Sequence, residues 1–479
     1  MSADLADLTA VELLSGYASR SFSPVEVNAA VQRRIESVEH TIGALYAPDP
    51  EAAARAARDS EAAWHAGQPR GDLDGVPVTI KENIATRGVP IPLGTAGNDL
   101  VPARADGPAA ARVRESGGVI LAKTTMPDVG MLSSGLSSFH QLARNPWNPE
   151  WNPGGSSAGA AAACAAGYGP LHIGTDIGGS LRLPAGWTGT VTLKPSYGLV
   201  PVDPPYYGRV AGPITRTAAD AALFMRVLAR PDARDHTSLP SLAIDWSDLD
   251  LDGDVTGLRV GLLLDPGCGL PTQRAVQEAV EGAAKTFEAG GAVVESIPPF
   301  FSVELLHDLD LFWRVRGWEW FSGLSHQKQS LVLPYIADWC RGGADVPGVV
   351  LMRCVNRMLE ISETAVRSTA DFDLVLSPTS PVTTFPVDWP SPTNDVTRPL
   401  EHIGFTAPYN FSGQPASSVN CGWDSEGKPI GLQIAGRRFA DLAVLRATHW
   451  YEQARGHAAT PIWPPASMSQ YATPPVVRP

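Results

Sequence analysis

The order of apolar and polar positions divides the chain into a helical opening and a longer stretch of alternating strands and helices. Thr9-Ala-Val-Glu12 and Ser23-Pro24-Val-Glu26 each place a hydroxyl at a helix N-cap and a glutamate three residues on. That pattern satisfies two orphan N–H groups reciprocally, and Pro24 falls where its missing N–H costs nothing. Asp49-Pro50-Glu51 opens a third, Ala-rich helix ending near Gly67. Short apolar runs then take over. Val76–Lys81, Val119–Lys123, Leu171–Thr175 and Leu258–Leu264 are predicted strands, with predicted helices at Ala109–Glu115, Ser157–Ala166 and Gln273–Ala289. Late strands at Leu374–Ser377, Ala416–Cys421 and Gly431–Ala435 precede a last helix over Leu442–Ala454. Strands alternating with helices predict a layered α/β architecture around a mostly buried sheet.

Three stretches depart from this rhythm. Residues 231–257 are polar and acidic and read as a surface excursion between two halves of one core. Residues 300–370 are helical in pattern and rich in aromatics, and the Pro-rich segment after Thr460 is expected to wrap the surface. There is no internal repeat and no low-complexity linker.

Composition narrows the function classes. A chain of 479 residues with 44% hydrophobic content can bury a large core. A net charge of −13 without a basic stripe excludes the usual nucleic-acid footprint. The five cysteines (Cys164, Cys268, Cys340, Cys354, Cys421) are widely spaced with no C-x-x-C pair, which reads as free thiols in a reducing compartment. The start M-S-A-D-L-A-D lacks an apolar signal core. Residues 151–175 are uncharged, but Gly, Ser, Pro and Ala do not make a membrane span. A cytoplasmic protein is expected.

The candidate chemistry lies in three Gly-rich or apolar segments. Ser180 follows Gly178-Gly179, and glycines allow a tight turn whose exposed N–H groups form an anion-binding nest. An oxyanion hole needs such a nest. By itself, G-G-S reads as a helix N-cap serine after a Gly turn. Ser156 sits in G-G-S-S-A-G, ahead of an Ala-rich helix, without the lysine of a phosphate-binding loop. Lys81 ends the apolar run V-P-V-T-I-K; a desolvated lysine loses its proton readily and can act as a base. No His or Asp of a usual triad accompanies these serines, so a serine nucleophile with a lysine base is the leading reading.

Taken together, the segments resemble the amidase signature family. The match runs through G-G-S-S-x-G, G-T-D-I-G-G-S-x-R-x-P-A (Gly174–Ala185) and G-x-x-x-x-K-P-S-Y-G (Gly189–Gly198). The spacings of 75 residues from Lys81 to Ser156 and 24 from Ser156 to Ser180 agree as well. Further matches at Gly212–Ala222, Asp373–Pro381 and Phe411–Gly436 extend it over most of the chain. The resemblance implies an α/β fold: a single α/β/α sandwich domain with a large twisted mixed β-sheet. Its parts would be N-terminal helices (1–68), a catalytic core (69–230), a variable pocket region (231–370) and a C-terminal part of the core (371–479). It implies Ser180 as nucleophile, Ser156 as a relay on a cis peptide and neutral Lys81 as base. The N–H groups of Ile177, Gly178, Gly179 and Ser180 would form the oxyanion hole. Asp176 and Arg182 would brace the loop, with Ser157 and Thr175 adding hydrogen bonds. No metal or organic cofactor is called for.

Two departures bear on the pocket. The loop near Met131 reads M-L-S-S-G-L-S-S, with Leu132 and Leu136, and Trp187 and Thr188 stand where the family often has an aromatic and a cysteine. Candidate pocket residues are Met131, Leu132, Ser133, Tyr207, Arg209, Trp318 and Gln414, with the wider stretches Met131–Ser134, Pro204–Arg209 and Phe312–Phe321 as walls. Aromatic walls suit bulky apolar or aryl groups. The expected partner is a small amide or carbamate (urethane), with no nucleic acid or membrane, and the chain acts as a monomer or homodimer. The competing reading is the glutaminase subunit of a tRNA-dependent amidotransferase. Its usual K-R-R-I and Y-Y-D-A-Y-Y-type helix is replaced by N-R-M-L-E-I-S-E-T-A-V-R-S-T. An inactive binding protein would need a lost triad residue, and none is lost.

Overall fold

The computed structural model describes residues 4–249 and 255–472. Its frame is one mixed sheet of eleven strands. In chain order these are β1 (Leu45–Tyr46), β2 (Pro77–Lys81), β3 (Val119–Thr124), β4 (Leu171–Asp176), β5 (Val191–Lys194), β6 (Val210–Thr215), β7 (Arg259–Leu262), β8 (Val293–Ser296), β9 (Leu374–Pro378), β10 (Ala416–Trp423) and β11 (Pro429–Gly436). The order across the sheet is β1-β3-β2-β4-β6-β5-β10-β11-β9-β7-β8. β2 runs parallel to β3 and β4, and β7 parallel to β8 and β9. The strands between these two groups pair antiparallel.

Helices cover both faces, and the side-chain alternation of the strands sorts the two cores. Leu374 and Leu376 of β9 join the cluster holding Val276, Phe287 and Val444, while Val375 joins another with Phe405 and Tyr409. The expected α/β/α sandwich is what forms. The three N-terminal helices begin where the capping patterns place them, at Ala10, Pro24 and Pro50. Both capping boxes are closed in both directions.

Some elements escape the hydrophobic pattern. β6 reads V-A-G-P-I-T, and an internal Gly-Pro looks like a turn. β5 has four residues, and β8 is a largely exposed edge strand without an apolar run. Helix Arg182–Thr188 carries Pro184 and Gly186; the proline is tolerated because it lies in the first turn. The acidic excursion after residue 230 has no helix or strand through 249 and is tied down by ion pairs such as Asp232 with Arg112 and Asp248 with Arg446. Its residues 250–254 lie outside the described residues, as do 473–479 of the tail. The described part of the tail lies against the body, with Ser467 Oγ donating to Pro146 O and Met468 buried. All five cysteines are buried and free. Among the described residues no helix is long and apolar enough to cross a membrane.

Helix Ala158–Ala166 is buried along its whole length, and only small residues let it lie this close to the sheet. A Cβ at Gly159 would stand 2.3 Å from Ala44 O and 2.4 Å from Thr125 N, both backbone atoms. In an exposed helix Gly→Ala stabilises by about 1 kcal/mol. Here Gly159→Ala is expected to lower the thermal midpoint, with a loss of roughly 1–3 kcal/mol from overpacking. A raised midpoint would show that the helix has room to move.

Candidate active site

β2 and β4 are parallel neighbours, so their carboxyl ends open on the same edge of the sheet. Crevices at such edges are where open α/β sheets bind ligands. β2 ends in Lys81 and β4 in Thr175-Asp176. The Lys81 side chain is completely buried. Its Nζ lies 2.9 Å from Ser156 Oγ, 3.0 Å from Ser157 Oγ and 3.0 Å from Thr175 Oγ1. Among the described residues it has no carboxylate partner within salt-bridge distance. Burial, and then the charge of Arg209, hold its pKa well below the usual lysine range, against the opposing pull of Asp176 and Glu82.

Ser156 is delivered by the turn that precedes helix Ala158–Ala166. The Gly155–Ser156 peptide is cis, and a Cβ at Gly155 would stand 2.5 Å from Ser134 N. Gly154 has φ +84°, and a Cβ there would meet the Trp187 ring at 2.6 Å. Asn152 ties the turn down: its Oδ1 accepts from Gly154 N at 2.9 Å and its Nδ2 donates to Ser134 Oγ at 2.8 Å. Ser157 N donates to Ser180 O at 3.2 Å, which sets the two serine segments side by side.

The Ser180 turn is held from below by a fully buried ion pair. Asp176 accepts from Gly179 N at 2.8 Å, Leu181 N at 3.1 Å and both ends of the Arg182 guanidinium at 3.0 Å. Asn410 Nδ2 adds a further bond at 2.8 Å. Burial alone would raise the Asp176 carboxyl; the Arg182 charge, with hydrogen bonds from Arg182 and Asn410, outweighs it and holds the group well below the carboxylate range. Arg182 also donates to Gln433 Oε1 at 2.8 Å and to Thr406 O at 2.9 Å. The N–H groups of Ile177, Gly178 and Ser180 donate to no backbone acceptor outside regular structure, and Ser180 Oγ has no hydrogen bond within the described residues.

One sequence expectation changes at this turn. The Gly179 N–H, expected among four donors to an oxyanion, is engaged by Asp176, which leaves the N–H groups of Ile177, Gly178 and Ser180 as candidates. That bond is what braces the loop, and a donor aimed at a carboxylate behind the turn cannot also point in front of it.

The cleft over Ser180 is narrow, with a volume of about 40 Å³. Met131, Leu132 and Ser133 line it as expected. Ser133 Oγ is held 2.7 Å from His402 Nε2, and His402 is buried beside Trp187. Three other pocket candidates lie elsewhere. Tyr207 is bonded through its hydroxyl to Ser362 and Phe411 O, at 2.9 and 3.3 Å. Trp318 packs within the helical cluster beside Phe321. Gln414 is buried, donating to Thr369 Oγ1 and Gly436 O. Helical phase is the reason for Trp318: Trp313 and Arg316, three apart, face the cleft, and Trp318 is turned away. Arg209 is half-buried and is not among the lining residues, and its charge reaches Lys81. The sequence reading missed Asn83, whose Nδ2 donates to Thr175 Oγ1 at 3.0 Å, and also Asn410, Gln433, Arg316 and Ile403. Asn83 and Gln433 lie inside the quoted motifs, two residues after Lys81 and within G-K-P-I-G-L-Q-I-A-G.

A profile of the family described as Amidase matches residues 26–445 of the chain. The chain belongs to the amidase signature family. An acylamidase of Rhodococcus erythropolis is 31% identical over 94% of this chain and 95% of its own length. A subunit of the glutamyl-tRNA(Gln) amidotransferase of Halothermothrix orenii is 32% identical over 94% and 98%. Among solved structures, a bacterial aryl acylamidase of the amidase signature enzymes superposes with a TM-score of 0.86 at 29% identity, covering 98% of both chains. In this amidase the frame described above is therefore shared along nearly its whole length.

Removing one partner of a buried, hydrogen-bonded ion pair leaves an uncompensated charge and typically costs about 3–5 kcal/mol. Arg182→Met should lower the unfolding free energy from chemical denaturation by an amount in that range, seen as a lower midpoint. A midpoint close to wild type would mean that Asp176 is satisfied without the guanidinium.

Proposed function

We propose that this amidase hydrolyses the C–N bond of apolar or aryl amides, and of carbamates, through an acyl-enzyme on Ser180. The observation that carries this reading is the buried Lys81 amine held among three hydroxyls with no carboxylate in contact. A neutral amine offers two N–H donors and one lone pair. Ser157 spends its own hydrogen on Thr175 O at 3.1 Å, so it receives an N–H from Lys81. Thr175 Oγ1, already an acceptor for Asn83, takes the second. The lone pair then faces the Ser156 hydroxyl.

The sequence of steps follows from that assignment. Ser180 Oγ attacks the carbonyl carbon as its proton passes to Ser156 Oγ and the Ser156 proton passes to Lys81. The oxyanion forms opposite the N–H groups of Ile177, Gly178 and Ser180. The relay returns the proton to the leaving nitrogen as the C–N bond breaks. Water then attacks the acyl-enzyme by the same route and releases the acid. A carbamate presents the same carbonyl carbon to the same attack. The apolar walls at Met131, Leu132, Trp313 and Ile403 suit an aryl or alkyl group. The likeness to an acylamidase and to an aryl acylamidase supports the amide side of this reading. The enzyme is proposed to act on a small molecule in the cytoplasm, as a monomer or homodimer; five buried free thiols accord with a reducing compartment.

The likeness to a glutamyl-tRNA(Gln) amidotransferase component favours a second reading, glutaminase action within a complex. The helix Gly348–Thr369 lacks the sequence usual there, and the cleft has no Asp or Glu among its lining residues to meet the ammonium of glutamine. The discriminating assay follows aniline release from aryl amides and aryl carbamates, and ammonia from glutamine, with the purified chain alone. Aniline release that is lost in Ser180→Ala, and reduced by roughly 10³-fold or more in Lys81→Ala, is expected. Substantial turnover in either variant sinks the triad; ammonia from glutamine alone favours the second reading.

The pH profile follows from the direction of the Lys81 shift. The neutral amine is the competent form, and burial lowers its pKa. Activity should therefore rise with pH through the displaced Lys81 ionisation and level off below the ordinary lysine range. An activity that keeps climbing up to the ordinary lysine range near 10.4 would show that Lys81 is charged at rest.

A further inference from the structure

The cleft is apolar on most sides and cationic at one end. Arg316 lines it, on the same helix face as Trp313, which packs against Gly178. The Arg316 guanidinium lies 3.8 Å from the ring centroid of Tyr206, a neutral partner. Arg209 follows three residues later. Asp176 pairs with Val210 at the end of β4 and β6, so Arg209 falls opposite Ile177, one place beyond the ladder and beside the turn that carries Ser180.

Neither guanidinium has a carboxylate within 4.0 Å among the described residues. Arg209 makes one hydrogen bond, to Pro204 O at 3.3 Å. Asp203 attracts it from an exposed position without forming an ion pair. Burial first, then the neighbouring charge of Arg316, push Arg209 down to about 10. Two like charges thus neighbour each other without a counter-charge, Arg316 exposed at the cleft and Arg209 half-buried, in a chain with 50 acidic residues against 37 basic ones. For the half-buried Arg209 such an uncompensated charge is costly unless an anion pairs with it, and the exposed Arg316 is free to take one. Guanidinium groups pair best with planar oxyanions.

We propose that the substrates of this cleft carry a carboxylate without a neighbouring ammonium, that Arg316 recognises the carboxylate, and that Arg209 reinforces it. The absence of Asp and Glu from the lining leaves an ammonium without a counter-charge. This rests on the hydrolase reading and names its substrate class: an aryl or alkyl amide of an acid, or an amide whose amine part is an acid.

Matched pairs test it: 4-acetamidobenzoate against 4-acetamidoacetophenone, and N-phenylglutaramate against 5-oxohexananilide. Each pair replaces the carboxylate by a methyl ketone of similar size. In at least one pair the acid should be favoured roughly tenfold or more in kcat/KM, the gain expected of one charge-assisted contact. Arg316→Gln should erase that ratio and Arg316→Glu should invert it. Equal or faster turnover of both ketones, or a ratio that survives Arg316→Gln, overturns the proposal. If the variants do not fold, the wild-type enzyme still decides. Its KM for the acid should rise several-fold between about 0.05 and 0.5 M NaCl while that for the ketone stays level, because salt screens the contact; two level responses overturn it. If no member of either pair is turned over, calorimetry with benzoate and benzamide separates the two readings. Binding of benzoate alone keeps the anion site and removes the hydrolase reading, whereas binding of neither removes the site as well.

Discussion

Everything at this site depends on keeping one lysine amine dry. Lys81 reaches its position because a run of mostly apolar residues carries β2, buried between β3 and β4, to its end there. A charged ammonium in such a place would need a carboxylate, and the structure offers three hydroxyls. The neutral form is the one these partners suit. In the proposed mechanism burial makes this lysine the base, and its hydroxyl neighbours make the serine relay.

That arrangement demands unusual backbone, and the sequence supplies it with small residues at the points of closest approach. Gly154, Gly155 and Gly179 stand where a Cβ would strike Trp187, Ser134 or Thr406. The Asp176–Arg182 pair then fixes the Ser180 turn from behind, and Asn410, Gln433 and Thr406 bind that pair to distant strands and loops. The reacting edge is thereby tied to β4, β11 and the segment after Leu400. Above it, helix Val303–Ser322 lays Trp313 and Arg316 over the cleft. The frame sets the chemistry, and this roof sets what is admitted.

Legibility divides along the same line. Capping boxes at Thr9 and Ser23 and the apolar runs of β2, β3 and β4 are local signals, and the elements form where those signals lie. Lys81, Ser156 and Ser180 were found through motif spacing, and the structure brings Lys81 and Ser156 into contact and sets Ser180 on the adjoining turn. β6 was hidden because its Gly-Pro is accommodated only by tertiary pairing. The pocket walls were the least legible. Whether Trp313 or Trp318 faces the cleft depends on helical phase and on what packs behind, and Gln414 is polar yet spends its amide donor on β11 and helix Gly348–Thr369. The Gly179 N–H is spent on Asp176 within the same tight turn that carries Ser180, which a motif does not reveal.

The most direct test of a Ser180 nucleophile driven by a neutral Lys81 is covalent labelling with a fluorophosphonate, read by intact mass and peptide mapping. The account predicts a single adduct on Ser180, with a labelling rate that falls by orders of magnitude in Lys81→Ala although the fold is retained. An adduct on Ser156, or labelling of Ser180 at an unchanged rate without Lys81, would contradict it.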